Sequence, residues 1–177
     1  MPKLKDILPP RPRILFVGIN PGGRSWEVGH HFAGKGNPFW RLLWAAKLTP
    51  VLLAPEEDAK LADFGLGLTN LVPRWTRTAA ELSRAEREKG GLRLRRFVAR
   101  AQPRIVALVG LSIYQELFGH ARSGGPGLKP ERLSGARVFV LPNPSGLNAS
   151  FPGFAQKLRW FRALGRIARS RSTRKVA

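Results

Sequence analysis

Residues Arg13–Gly23, RILFVGINPGG, decide how this chain is read. The first half, Arg13 to Gly18, is a short apolar run ending in glycine, the pattern of a buried strand feeding a loop. The second half is that loop. Its glycines let backbone amides approach a ligand, Pro21 stiffens it, and the amide of Asn20 both donates and accepts hydrogen bonds. The same letters also spell an ordinary turn, so the pattern alone leaves both readings open.

Working outward, the chain alternates short apolar runs with helical patterns. Pro38 to Leu48 (PFWRLLWAAKL) carries aromatic and aliphatic residues at helical spacing behind a first-turn proline, which predicts a helix with Trp40 and Trp44 facing the core. Pro55 to Phe64 reads as a more polar helix and Leu66 to Leu71 (LGLTNL) as a strand. Thr78 to Gln102 is rich in helix formers, and Gly90-Gly91 predicts either a break or two separate helices. Pro103 stops that segment. Arg104 to Gly110 (RIVALVG) reads as a second buried strand, Leu111 to Phe118 as a short helix, and Arg137 to Leu141 (RVFVL) as a further strand. Phe154 to Ile167 is amphipathic, with Leu158, Phe161, Leu164 and Ile167 on one stripe. Such alternation predicts an α/β domain, helices layered on both faces of a short, largely parallel sheet. One domain over 1–168 is expected, followed by a basic, disordered tail over 169–177.

In open sheets of this kind, ligands collect at loops leaving the carboxyl ends of strands. A second unusual loop fits that description: Asn143-Pro144-Ser145-Gly146-Leu147-Asn148 follows the last strand, as GINPGG follows the first.

The chain has 177 residues, with 31 Lys and Arg against 11 Asp and Glu, a formal charge of +20 that points to a polyanionic partner, nucleic acid first. An arginine-rich surface serves solubility as well. There are no cysteines, which excludes disulfides, thiol nucleophiles and thiolate-held zinc or iron-sulfur centres. No His, Asp and Glu cluster suggests a metal site, and GINPGG lacks the Lys-Ser/Thr ending of a phosphate-binding P-loop. No cofactor is expected. No window approaches a membrane span, and the N-terminal residues lack the apolar stretch of a secretory signal, so a soluble, cytoplasmic, monomeric protein is expected.

Five stretches in order, GINPGG, HHFAGKGNPFW (His30–Trp40), GLGLTNLVPRWT (Gly65–Thr76), QPRIVALVG (Gln102–Gly110) and LPNPSGL (Leu141–Leu147), resemble the mismatch-specific uracil/thymine DNA glycosylase family. The resemblance runs from about Ile7 to Leu164 and implies a three-layer α/β/α, uracil-DNA glycosylase-like fold. It further implies a repair enzyme that flips uracil, or thymine or an etheno-cytosine, mispaired with guanine out of duplex DNA and hydrolyses its glycosidic bond without a Schiff base. Asn20 maps onto the residue that holds the attacking water. Phe32 maps onto the ring that stacks on the flipped base. Gly18, Ile19, Pro21, Ser25 and Asn143 fall in the base pocket, with amides near Ile19 and Asn20 facing base oxygens and Ser25 beside the pyrimidine C5 edge. Leu147 maps onto the wedge that fills the vacated stack, with Ser145, Gly146 and Asn148 around the widowed guanine and a phosphate. The chain departs from the pattern at Ala149, where an arginine can follow the wedge, and this puts strict mispair preference in question. His30 and His31 fit either a phosphate or base contact or no role at all. Arg24, Lys35 and Arg74 are placed to grip phosphates.

Three other readings compete. A sister family with single-strand activity uses an aspartate with a histidine-bearing final loop, whereas here that loop reads NPSGL with no histidine; families with an iron-sulfur cluster need cysteines. A catalytically silent DNA-binding module would carry the same charge.

Overall fold

The computed structural model describes residues 4–119, 124–145 and 149–170. Among these residues, five strands form one sheet in the order β2-β1-β3-β5-β4: β1 Ile14–Gly18, β2 Leu66–Asn70, β3 Ile105–Val109, β4 Gly127–Leu133 and β5 Ala136–Leu141. The first four in that order run parallel, and β4 pairs antiparallel with β5. Five α-helices accompany them, α1 Gly23–Val28, α2 Phe39–Ala45, α3 Arg84–Ala101, α4 Leu111–Phe118 and α5 Phe154–Arg169, with 3-10 helices at Pro55–Phe64 and Ala79–Glu81.

Every residue of β1, β2 and β3 is buried, the consequence of covering both faces of a parallel sheet. Side chains alternate across it. Ile14 and Phe16 enter one core with Phe39, Leu42 and Leu43 of α2 and Phe161 and Leu164 of α5. Leu15 and Val17 enter the other with Leu94 and Val98 of α3 and Ile113 and Leu117 of α4. These two cores make the three layers expected from the alternation of strands and helices. Each such fully buried aliphatic or aromatic side chain contributes about 1.5–3 kcal/mol.

Three local expectations are corrected. Helix α3 is continuous across Gly90-Gly91. Gly90 is where the helix lies against the chain leaving β2: a Cβ there would sit 2.6 Å from the Leu71 carbonyl oxygen. Tertiary contact therefore offsets the roughly 1 kcal/mol that a helical glycine costs. The helix starts later than the composition of Thr78–Gln102 suggested, at a capping box in which the Ser83 hydroxyl accepts from the Glu86 amide at 3.2 Å and Glu86 accepts from the Ser83 amide at 2.9 Å. Trp40 is buried, but Trp44, one turn further on at the end of α2, is half exposed.

Two elements escaped the sequence reading. Strand β4 joins β5 through Ser134-Gly135, both at positive φ (46° and 89°), as a two-residue turn of the right handedness requires. The second element, α1, opens within GINPGG itself, with Gly22 as N-cap. Helix α5 runs through Arg169, one residue beyond the expected domain boundary, and residues 171–177 of the tail lie outside the described residues.

Candidate active site

The chain leaves β1 for β2 on one side, then crosses to β3 on the other. The crevice at the carboxyl end of β1 is thus the point where strand order reverses, the usual place for a ligand in such sheets. A cavity of 340 Å³ occupies it, lined among others by Gly18, Ile19, Asn20, Pro21, Ser25, Phe32, Asn70, Thr76, Asn143 and Ser145. The two loops singled out in the sequence meet here, over the ends of β1 and β5. Gly146, Leu147 and Asn148, the expected wedge and its neighbours, lie outside the described residues.

The GINPGG loop is pinned to the exit of β2. The Leu71 amide donates to the Gly18 carbonyl at 2.8 Å and the Val72 amide to the Ile19 carbonyl at 2.9 Å. Gly18 pairs with Asn70 across the strands, and a Cβ at Gly18 would fall 2.6 Å from Asn70 Oδ1. Only glycine leaves room there for the asparagine amide.

Hydrogen-bond chemistry fixes the orientation of Asn20. Its side chain contacts the Arg74 carbonyl oxygen at 3.1 Å, and a carbonyl only accepts, so the atom facing it is Nδ2. The same Nδ2 donates to Thr76 Oγ1 at 2.6 Å, and Thr76 in turn donates to the Thr78 carbonyl at 2.7 Å. Both amide protons are committed to the protein side. Oδ1 remains as an acceptor with no protein donor among the described residues.

Phe32 stands in the left-handed region (φ 50°), a strained position for an aromatic residue. One face of its ring stacks on Phe39, centroids 3.9 Å apart and planes 19° from parallel, while the ring also lines the cavity. Phe39 itself meets Phe16 and Phe161 edge-on, so the wall of the site is backed by the core. Ser25 is buried at the cavity edge, and its hydroxyl accepts from the Ala33 amide at 3.0 Å, tying α1 to the loop that carries Phe32.

His31 is buried beside them. Its Nε2 lies 2.9 Å from the Lys5 carbonyl, so that nitrogen carries the proton. Burial pushes its pKa below the ordinary 6.5, outweighing the opposing pull of the Lys5 carbonyl and Asp58. Asp58 accepts from the His31 amide at 3.0 Å and sits 3.2 Å from His30 Nδ1, so both histidines are spoken for by the scaffold.

Three contributors, Asn70, Thr76 and Lys157, had no signal as site residues, and Arg74, expected on a phosphate, contributes through its carbonyl. Asn70 is buried at the end of β2 and lines the cavity; Arg93 donates to its carbonyl at 3.0 Å and to Asp6 at 2.9 Å, fixing the strand end. Thr76 and the Arg74 carbonyl hold Asn20. Lys157, nearly sealed from solvent, donates from Nζ to the Pro144 and Ser145 carbonyls, both at 3.1 Å. Burial pushes its pKa down. These ammonium bonds, with the Ser145 amide donating to Asn143 Oδ1 at 2.9 Å, fix the start of the second loop. A lysine in the amphipathic pattern of α5 reads as surface, and only its inward tilt reveals the clamp.

Of the cations expected on phosphates, the Arg74 guanidinium is committed to Glu86, with bonds of 2.6 and 3.1 Å. Arg24 pairs loosely with Glu27 at 3.7 Å. Among the described residues, no Asp or Glu lines the cavity. Among the described residues, no group of three or more His, Cys, Asp or Glu is placed to hold a metal, and no helix is long and apolar enough to cross a membrane.

An oriented amide acceptor, an aromatic ring and a second buried amide are thus gathered at the switch point of a basic α/β sheet. The family model of the Uracil DNA glycosylase superfamily matches residues 5–165, and the chain belongs to that superfamily. It is accordingly a DNA glycosylase, a hydrolase of N-glycosidic bonds in base-excision repair, and DNA is its substrate.

Proposed function

We propose that this chain is a mismatch-specific member of the superfamily, monofunctional and acting as a monomer without a cofactor on uracil opposite guanine in duplex DNA. The observation that carries this reading is the oriented amide of Asn20. With both N–H groups bound inward, Oδ1 accepts a hydrogen bond from a water and aims its oxygen at the sugar. An amide is a poor base, so water attack follows rather than drives bond cleavage. The C1′–N1 bond breaks with its electron pair leaving on the pyrimidine. Water then adds to the oxocarbenium-like C1′, and its proton passes to the departed pyrimidine anion or to solvent. Positioning and electrostatic stabilisation supply the rate.

The flipped base stacks on Phe32, whose other face is covered by Phe39. Asn70 supplies a donor and an acceptor to the polar edge of the base, and backbone amides near Ile19 and Asn20 supply further donors. The Ser25 side borders C5, where a thymine methyl would crowd the wall. Leu147 fills the vacated stack, Gly146, Asn148 and Ser145 face the widowed guanine and its phosphate, and Lys157 fixes the base of that loop.

The test is single-turnover excision from labelled duplexes holding G·U, A·U, G·T or unpaired uracil, with abasic sites developed by alkali. The reading requires G·U to be cut fastest and Asn20→Ala to bind but barely cut. Equal rates on all uracil contexts would sink the mismatch preference, and full activity of the variant would sink the water-holding role.

A further inference from the structure

A parallel sheet has two ends, and the glycosylase cavity uses only one. At the other, Arg13 enters β1 and Arg104 immediately precedes β3, while the last turn of α5 brings Arg169 alongside. A cavity of 720 Å³ opens at this end, lined by Arg13, Trp44, Lys47 and Thr49 among others and, among the described residues, by no carboxylate.

Several features of this groove lack a structural partner. Trp44 is 50% exposed although it lines a cavity. Thr49 is 3% exposed, yet its hydroxyl has no hydrogen-bond partner among the described residues. Arg13 is held rigidly, donating to the Leu48 and Phe64 carbonyls at 3.5 and 3.3 Å, and Arg104 donates to the Ser170 carbonyl at 3.2 Å. Among the described residues, none of Arg13, Lys47, Arg104 and Arg169 makes an ion pair, as holds for most Lys and Arg of this basic chain. The guanidinium groups also feel one another: Arg13 is pushed below its ordinary value first by burial, then by Arg169 and Arg104. What distinguishes this end of the sheet is that its cations stand close together beside a half-exposed indole.

We propose that this face is a second nucleic-acid site, taking single-stranded DNA, with a base stacked on Trp44 and the flanking phosphates on Lys47, Arg169 and Arg104. Unpaired cations relieve their repulsion by binding phosphate, and an aromatic ring in a basic groove suits unstacked bases. A duplex keeps its base faces stacked and so offers none to the exposed indole, and an acidic peptide brings charge but no flat base. The site lies at the opposite end of the strands from Asn20, so both can be filled at once. The enzyme would then hold an unpaired strand while it works on a neighbouring duplex.

The test uses the full chain and a fluorescent oligothymidylate without a lesion, followed by anisotropy, alone and with the active site saturated by a G·U duplex whose uridine carries an uncleavable 2′-fluoro sugar. The measurement without duplex stands even if the G·U reading fails. Expected are binding of the oligonucleotide in both settings, about tenfold weakening by Trp44→Ala with rescue by Trp44→Phe, and a salt slope lowered by about 1.4 in K47E/R169E, for two phosphate contacts on a single strand. Excision from a short duplex should be unchanged in all three variants. Loss of oligonucleotide binding once the duplex is bound, indifference to both substitutions, or equal displacement by lesion-free duplex or by polyglutamate would overturn the proposal. All three altered positions are solvent-facing, and thermal melts confirm that each variant is folded before its binding is scored.

Discussion

Asn20 Nδ2 donates to the Thr76 hydroxyl at 2.6 Å, and this bond sets which end of the amide faces the cavity. If it positions the water, Thr76→Val should slow single-turnover excision about five- to tenfold, the rate equivalent of one net hydrogen bond of about 1 kcal/mol, without weakening DNA binding. Asn20→Ala should cost about a hundredfold or more. Combining the two should cost no more than Asn20→Ala alone, because Thr76 acts only through Asn20. An additive double variant would assign Thr76 a separate role.

The ammonium of Lys157 should matter to the second loop more than to chemistry. Lys157→Met keeps the length of the side chain but leaves the Pro144 and Ser145 carbonyls without their donor, at a cost of about 1–3 kcal/mol. Excision from a G·U duplex should fall about tenfold while excision of uracil from a single strand, where no stack must be filled, stays within about twofold. Equal losses on both substrates would assign Lys157 to general stability instead.

The two glycines of α3 should respond in opposite directions. Gly90→Ala puts a methyl 2.6 Å from the Leu71 carbonyl and should destabilise by about 1–3 kcal/mol. Gly91→Ala meets only Leu117 Cδ2, at 3.4 Å, and should stabilise by about 0.5–1 kcal/mol through helix propensity. Urea midpoints of the two variants settle it.

His31 gives a pH dependence whose sign is fixed by burial. Its folded-state pKa lies below 6.5, so just below pH 6.5 the unfolded chain binds more protons than the folded one. Its contribution to stability is therefore fully present above pH 6.5 and is lost as pH falls from there through the folded-state value. His31→Gln, which still offers an N–H to the Lys5 carbonyl, should make urea stability between pH 8 and pH 5 shallower than in the parent protein. A parallel pair of curves would mean that His31 does not titrate differently on folding.

The sheet was legible because β1 and β3, covered on both faces, are unbroken apolar runs, and β2 and β5 are largely apolar between turn residues. Strand β4 (GLKPERL) was not, because it is an edge: its residues alternate between half-buried and exposed and include a proline and three charged side chains, which resemble a loop in sequence. Gly90 misled for the opposite reason, since local propensity cannot know that Leu71 lies against the helix. At the site, Asn20 and Phe32 were found through motifs. Asn70 was hidden inside a strand pattern, and Lys157 inside a helix whose other basic residues face solvent.

Phe161 and Lys157 are one helical turn apart on α5. Through Phe161 the helix abuts Phe39, and so the ring of Phe32; through Lys157 it carries the Asn143–Ser145 loop. Base capture and gap filling are thus mounted on a common beam, and their mutual alignment is set by how rigidly α5 seats on the sheet rather than by either loop. Loosening that seat, by heat or by trimming Leu164, would put both parts out of register together, and repair would fail as a single event while each loop kept its own local shape.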